Sequence, residues 1–250
     1  MLSGVPPSAV IFDLGGTLIH LHDDERAIAA RWRQSYTAAA AALPPALRPS
    51  AEGYVEAMAA AEAAHWARVN AELWSGPPTS VLANGFRRLG IAPTPAAVEA
   101  GLDAYAQAVA GWSEPDPDAL ETLATLRERG YRLGLLSNTW WAADWHDADL
   151  ASHGLVDCLD VAIYTSELPH SKPHVAVFRL ASERLGVEPA GCVMVGDRLR
   201  DDVGGALGAG MRGVWRANTS PWPRPPDVVP DAVVDRLAEL PPLLQGWGGA

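Results

Sequence analysis

The apolar run Ala9-Val10-Ile11-Phe12 delivers a carboxylate, Asp13, straight into the turn Leu14-Gly15-Gly16-Thr17. A carboxylate so placed forms the turn, caps a helix or serves as a nucleophile. Ser137 and Asp197 stand at the ends of two similar runs, "YRLGLLS" and "CVMVGD". Lys172 precedes a proline in "SKPHVAVF", and Asp201 and Asp202 follow Asp197 closely in "VGDRLRDD". Each has a plainer reading as well. Lys172 is also readable as a solvated surface lysine. Ser137, Asn138, Asp201 and Asp202 are residues that cap helices.

The elements that must carry these residues alternate. A strand over residues 9–14 is followed, from Asp23 to about Gly111, by alanine-rich segments with apolar spacing near three and four. This spacing predicts helices, and "PPALRPS" and "SGPPTS" break them apart. Beyond "SEPDPDAL" the pattern becomes helix (about 117–129, ending at Gly130), strand "YRLGLLSN", a tryptophan-rich helix, and apolar material over residues 156–164. Then come a helix (about 174–185), the strand "CVMVGD", a helix (about 202–208), the strand "GVWRA", and "DAVVD" before a last helix. Strands alternating with helices predict an α/β fold with a parallel sheet. Ligands of such sheets bind beyond the carboxyl ends of the strands, where Asp13, Ser137 and Asp197 fall. "SPWPRPPDVVP" reads as a surface loop.

Four segments in order, "FDLGGTL", "LLSN", "SKPHVAVF" and "VGDRLRDDVGGALGAGM", make the chain resemble the haloacid dehalogenase-like hydrolases, in their phosphatase-like branch. The resemblance implies a Rossmann-like core (1–20 and 116–250) with an inserted α-helical cap (21–115) that covers the site and selects substrate. It implies Asp13 as the nucleophile that takes a phosphoryl group from a small phosphorylated metabolite, and Lys172 as the fixed positive charge beside it. Ser137, Asn138 and backbone N–H groups would hold the phosphoryl oxygens, with Thr17 ordering the turn. Asp13, Asp197 and the carbonyl of Gly15 would ligate Mg²⁺, which takes hard oxygen donors. Asp202 would orient that metal shell or the lysine.

Position 15 departs from the family's phosphatases, which usually carry there a second Asp that protonates the leaving oxygen and then deprotonates water. Gly15 retains a carbonyl but no proton relay. Three readings follow: a phosphatase restricted to good leaving groups, a weakly active or inactive phosphate-binding protein, and a 2-haloacid dehalogenase, whose halide leaves unprotonated. A phosphomutase is disfavoured, since both its half-reactions need the acid. His20, His22 and His170 are candidate replacements for the acid, and are equally readable as exposed linker residues.

A net charge of −11 among 250 residues disfavours nucleic acid and anionic membranes as partners. No apolar stretch approaches the ~18 residues of a membrane span. Cys158 and Cys192 lie far apart near apolar runs and read as buried free thiols. A cytoplasmic setting is expected. Trp32, Trp66, Trp74 and Trp112 read as core packing. Trp140, Trp141 and Trp145, just after Ser137, are readable as core packing or as contacts to substrate or to the cap.

Overall fold

The computed structural model describes residues 5–21, 25–218 and 222–248. His22 therefore lies outside the described residues. The first strand, β1 (Ala9–Phe12), is followed by the short β2 (Ile19–Leu21). Four helices come next: α1 (Glu25–Ala41), α2 (Ala51–Glu72), α3 (Thr79–Arg88) and α4 (Pro95–Val109). β3 (Ser113–Pro115) leads to α5 (Ala119–Glu128), β4 (Arg132–Ser137), α6 (Ala143–Ser152) and β5 (Val161–Tyr164). The chain ends with α7 (Val175–Leu185), β6 (Cys192–Gly196), α8 (Gly205–Gly208), β7 (Arg212–Arg216), β8 (Ala232–Val234) and α9 (Leu240–Trp247).

Six strands form one parallel sheet in the order β5-β4-β1-β6-β7-β8, a Rossmann-like arrangement. Phe12 of β1 stands in register with Leu135 of β4 on one side and Val195 of β6 on the other. The chain builds outward from β1 through β4 to β5, then returns to lay β6 on β1's other flank. This reversal opens a crevice at the carboxyl ends of the three central strands. Those strands are buried on both faces, which is why they read as unbroken apolar runs rather than alternating ones.

The four helices α1–α4 bury a separate apolar cluster that includes Trp32, Tyr54, Met58, Phe86 and Tyr105. Ser50 and Thr94 cap α2 and α4 by accepting from Gly53 N and Ala97 N. The sequence pattern does not single out α3, nor does it anticipate that β2 and β3 pair as an antiparallel ribbon, Leu21 opposite Ser113. At three residues per strand, neither carries a readable alternation. The ribbon is fixed at both ends: Asp116 accepts from His20 Nε2 (3.0 Å) and Arg216 Nη2 (2.5 Å), and Ser113 Oγ donates to Asp149 Oδ2 (2.5 Å). Cys192 is buried as expected, but Cys158 is only partly so.

Candidate active site

Asp13, Ser137 and Asp197 reach the same crevice because their strands are neighbours. Lys172 comes from the loop before α7 and is 3 % exposed. Its ammonium has three protons to place. They go to Asp13 Oδ1 (2.6 Å), Asp202 Oδ1 (2.6 Å) and the carbonyl of Leu136 (2.8 Å). Three acceptors at these distances fix Nζ in position, and a solvated surface lysine is ruled out.

The acids come from a tight local fold. Asp202 lies on a π-helical turn, Leu199–Gly204, where the sequence pattern predicts a plain α-helix from about residue 202. Its Oδ2 accepts from Arg198 N (2.9 Å). It packs so closely on Gly196 that a side chain there would collide with its carboxylate. Asp197 Oδ2 accepts from Asn218 Nδ2 (2.9 Å), and its carbonyl from Trp215 Nε1 (2.9 Å). Asp197 Oδ1 is buried with no hydrogen-bond partner among the described residues. Oxygens of Asp13, Asp197 and Asp202 all lie within 4.8 Å of one another. Asp201 points elsewhere, toward Arg198 (3.6 Å) and Arg200 (3.7 Å).

Three carboxylates face one ammonium. Burial alone would lower the pKa of Lys172, but Asp13 and Asp202 outweigh it and raise it, so the lysine is charged. Burial, then the charge of Asp13, pushes Asp197 above the usual carboxylate range. Asp202 is raised to about 7, by burial first and also by Asp13 and Asp197, with Lys172 opposing. The cluster carries more negative charge than one lysine offsets.

Asn138 is placed differently from a free anion donor. Its Nδ2 donates to the carbonyl of Lys172 (3.0 Å) and its Oδ1 accepts from Lys172 N (2.8 Å), so the side chain clamps the serine turn to the lysine loop. Thr17 is fully buried in the first turn, its hydroxyl without a hydrogen-bond partner among the described residues. Of the histidines, His20 is engaged by Asp116, and His170 stacks on His174 at 3.8 Å between ring centroids. Trp140, Trp141 and Trp145 all pack on the helical cluster, each within 6.2 Å of the Tyr105 ring.

The two glycines of the first turn do different jobs. Gly16 has φ +83°, and a Cβ there would lie 2.6 Å from Asp197 Oδ2. Gly15 is outside the left-handed region, and its Cβ would meet only Leu21 Cδ1 at 3.7 Å. Only Gly16 is demanded by the backbone. Gly15→Ala is expected to unfold within a few degrees of the native protein, and Gly16→Ala to lose more than ~1 kcal/mol. Thermal unfolding of the two variants side by side checks this.

Sequence reasoning missed Asn218, Trp215 and Glu62. Asn218 and Trp215 act from β7 and the loop after it, where no motif marks them. Glu62 had a signal: with Met58, His65 and Val69 it falls at three-and-four spacing on the buried face of α2.

Comparison with known proteins bears on the same residues. A sequence profile of the haloacid dehalogenase-like hydrolases matches residues 7–210. A glyceraldehyde 3-phosphate phosphatase from Methanopyrus kandleri is 36% identical over 161 residues, 62% of this chain and 67% of that one. The chain spans about half the length of three further archaeal relatives of that name. Among solved structures, a HAD phosphatase from Thermococcus onnurineus superposes with a TM-score of 0.65 at 28% identity, over 96% of this chain and 98% of that one. A 2-haloacid dehalogenase from Pseudomonas syringae pv. Tomato gives 0.68 at 26%, over 96% and 99%. The matched stretch contains the turn of Asp13, the serine strand, the lysine loop and the acidic turn, and on that ground the chain belongs to the haloacid dehalogenase-like hydrolases.

Proposed function

We propose that this hydrolase is a Mg²⁺-dependent phosphatase acting on a small phosphorylated metabolite through an aspartyl-phosphate on Asp13. The observation that carries the reading is the Lys172 ammonium held between Asp13 and Asp202, with Asp197 alongside and one of its buried oxygens unpaired. Hard carboxylate oxygens in excess of one positive charge fit a small dication. Asp13 and Asp197 would hold it with the carbonyl of Gly15, Asp202 completing or orienting the shell. When bound, the dication supplies the positive charge that lets a phosphate dianion approach a carboxylate. Halide displacement would also use Asp13, but a halide leaves without a metal, so the acceptors left for a dication set this reading above the dehalogenase one. The phosphatase names of the relatives point the same way.

Lys172 occupies Oδ1 of Asp13 and so orients the carboxylate, leaving Oδ2 to attack phosphorus. The bond to the leaving oxygen breaks, and that oxygen departs with the electron pair. Ser137 holds the phosphoryl oxygens. Water then attacks phosphorus, the bond from phosphorus to Asp13 Oδ2 breaks with its electron pair returning to the carboxylate, and the proton of the water leaves on the released phosphate, a step that Gly15 does not assist. Residues 21–115 serve as the cap over this site. Two unpaired thiols suit a cytoplasmic setting.

Because position 15 offers no acid, aryl and acyl phosphates are expected to turn over and alkyl phosphates to lag by ~10²–10⁴-fold. Steady-state rates on p-nitrophenyl phosphate and glycerol phosphate, with Mg²⁺ and with EDTA, provide the test. Activity abolished by EDTA and by Asp197→Asn supports the reading. Halide release from 2-haloacids undiminished by EDTA replaces it with the dehalogenase. Mg²⁺ and phosphate binding without turnover replaces it with a binding protein.

A further inference from the structure

Three residues after Ser137 the chain leaves the sheet and inserts an indole into the helical cluster. Trp140 is 1 % exposed. It stacks on Trp32 of α1 (centroids 5.8 Å, 9° between planes) and lies 5.1 Å from Tyr105 of α4. Beneath the stack is Glu62 of α2, 7 % exposed. Its Oε2 accepts from Trp32 Nε1 (2.8 Å) and its Oε1 from Trp140 Nε1 (3.2 Å). A buried carboxylate is costly unless its oxygens are hydrogen-bonded. An apolar side chain would fill this space more cheaply, but it would not fix an indole from the sheet against an indole from the helices.

The residues between Ser137 and Trp140 are tied down one by one. Asn138 is clamped to Lys172. Thr139 N donates to Thr165 Oγ1 (3.1 Å), and Thr139 Oγ1 pairs with His146 Nε2 (2.8 Å). His146 is buried and held neutral, its pKa lowered to about 4 by burial. Trp140 is the member of this run that answers to the helices. The same α2 and the turn after it reach the other two catalytic loops: Asn70 O accepts from Arg200 Nη2 (3.3 Å), and Leu73 O from Ser171 N (3.0 Å).

We propose that Trp140 is a positioning residue for the Ser137–Asn138 turn, held by its own hydrogen bond to Glu62 of α2, so that this one contact, and not the packing of the helices at large, tunes the affinity of the site for phosphate. This rests on the phosphatase reading, since it concerns where Ser137 meets an anion. By linkage, an anion at the site also favours the Trp140–Glu62 contact.

The test compares Trp140→Phe with Trp32→Phe. Each removes one indole N–H from the same carboxylate within the same stack, so a purely structural role moves both alike. Calorimetry with inorganic phosphate in the presence of Mg²⁺ is expected to show Kd raised about tenfold in Trp140→Phe and unchanged in Trp32→Phe, with similar losses of thermal stability. KM for p-nitrophenyl phosphate follows Kd, and kcat stays within about threefold. Glu62→Leu, which removes both acceptors while filling the space, is expected to shift Kd in the same direction, and serves if Trp140→Phe does not fold. Equal shifts in both tryptophan variants, or an unchanged Kd in Trp140→Phe or in folded Glu62→Leu, overturn the proposal. A native protein that binds no phosphate with Mg²⁺ overturns the phosphatase reading and this inference with it.

Discussion

Asp13→Asn is expected to abolish turnover, by at least ~10⁴-fold, while leaving a folded protein. The amide cannot attack phosphorus, yet its oxygen can still accept from Lys172, which keeps Asp202 and the Leu136 carbonyl as partners. The variant also loses one of three crowded negative charges, and this gives it a second signature. Asp202 titrates at about 7 in the folded chain against 3.8 as a free side chain. Its folded form holds the proton more tightly, so this group favours the fold fully below pH 3.8 and its contribution is lost as pH rises through about 7. Part of that elevation comes from Asp13. Without Mg²⁺, the native protein should therefore lose more urea resistance between pH 5 and 8 than Asp13→Asn does. A variant that retains turnover would remove Asp13 from the chemistry. One that is inactive but shows the native pH slope would leave the electrostatic account wrong.

Gly15→Asp is expected to raise alkyl-phosphate turnover by ~10²–10⁴-fold and to narrow the gap to aryl phosphates. Glycine permits backbone angles that aspartate does not, but this turn does not use them at position 15. Gly15 is outside the left-handed region, and a Cβ there has only Leu21 Cδ1 within 4 Å, at 3.7 Å. The absent carboxylate is thus a chemical feature of this chain and not a condition of its turn. His20 is bound to Asp116, and His170 is stacked on His174. Rates on glycerol phosphate and p-nitrophenyl phosphate decide the matter, once circular dichroism and Mg²⁺ binding show the variant intact. An unchanged ratio between the two substrates would mean that another group supplies the proton.

The parallel core was legible because its central strands are buried on both faces and stand out as short apolar runs between turn residues. The gathering of Asp13, Ser137 and Asp197 followed from one rule about strand ends. Lys172 was reachable only through the resemblance, since a lysine before a proline carries no physical signal of burial. What stayed hidden depends on tertiary contact. Asn138 reads as a cap but spends both ends of its amide on a loop 34 residues away. The ribbon of β2 and β3 joins segments too short to show a period. The π-helical turn at Leu199–Gly204 depends on where Asp202 must point, which no local propensity encodes.

That ribbon has a topological consequence. Leu21 and Ser113 are cross-strand partners, so the chain departs from the sheet domain and rejoins it at adjacent points. From the side of the sheet, α1–α4 together amount to the loop of a single hairpin. The entropy of closing a loop grows only slowly with its length, so a small or a large insertion at this point burdens the sheet almost equally. The helices can be lengthened, exchanged or elaborated without re-threading a strand. Contacts such as Trp140 on Glu62 then limit that freedom, because any replacement block must still present an acceptor where the serine turn delivers its indole.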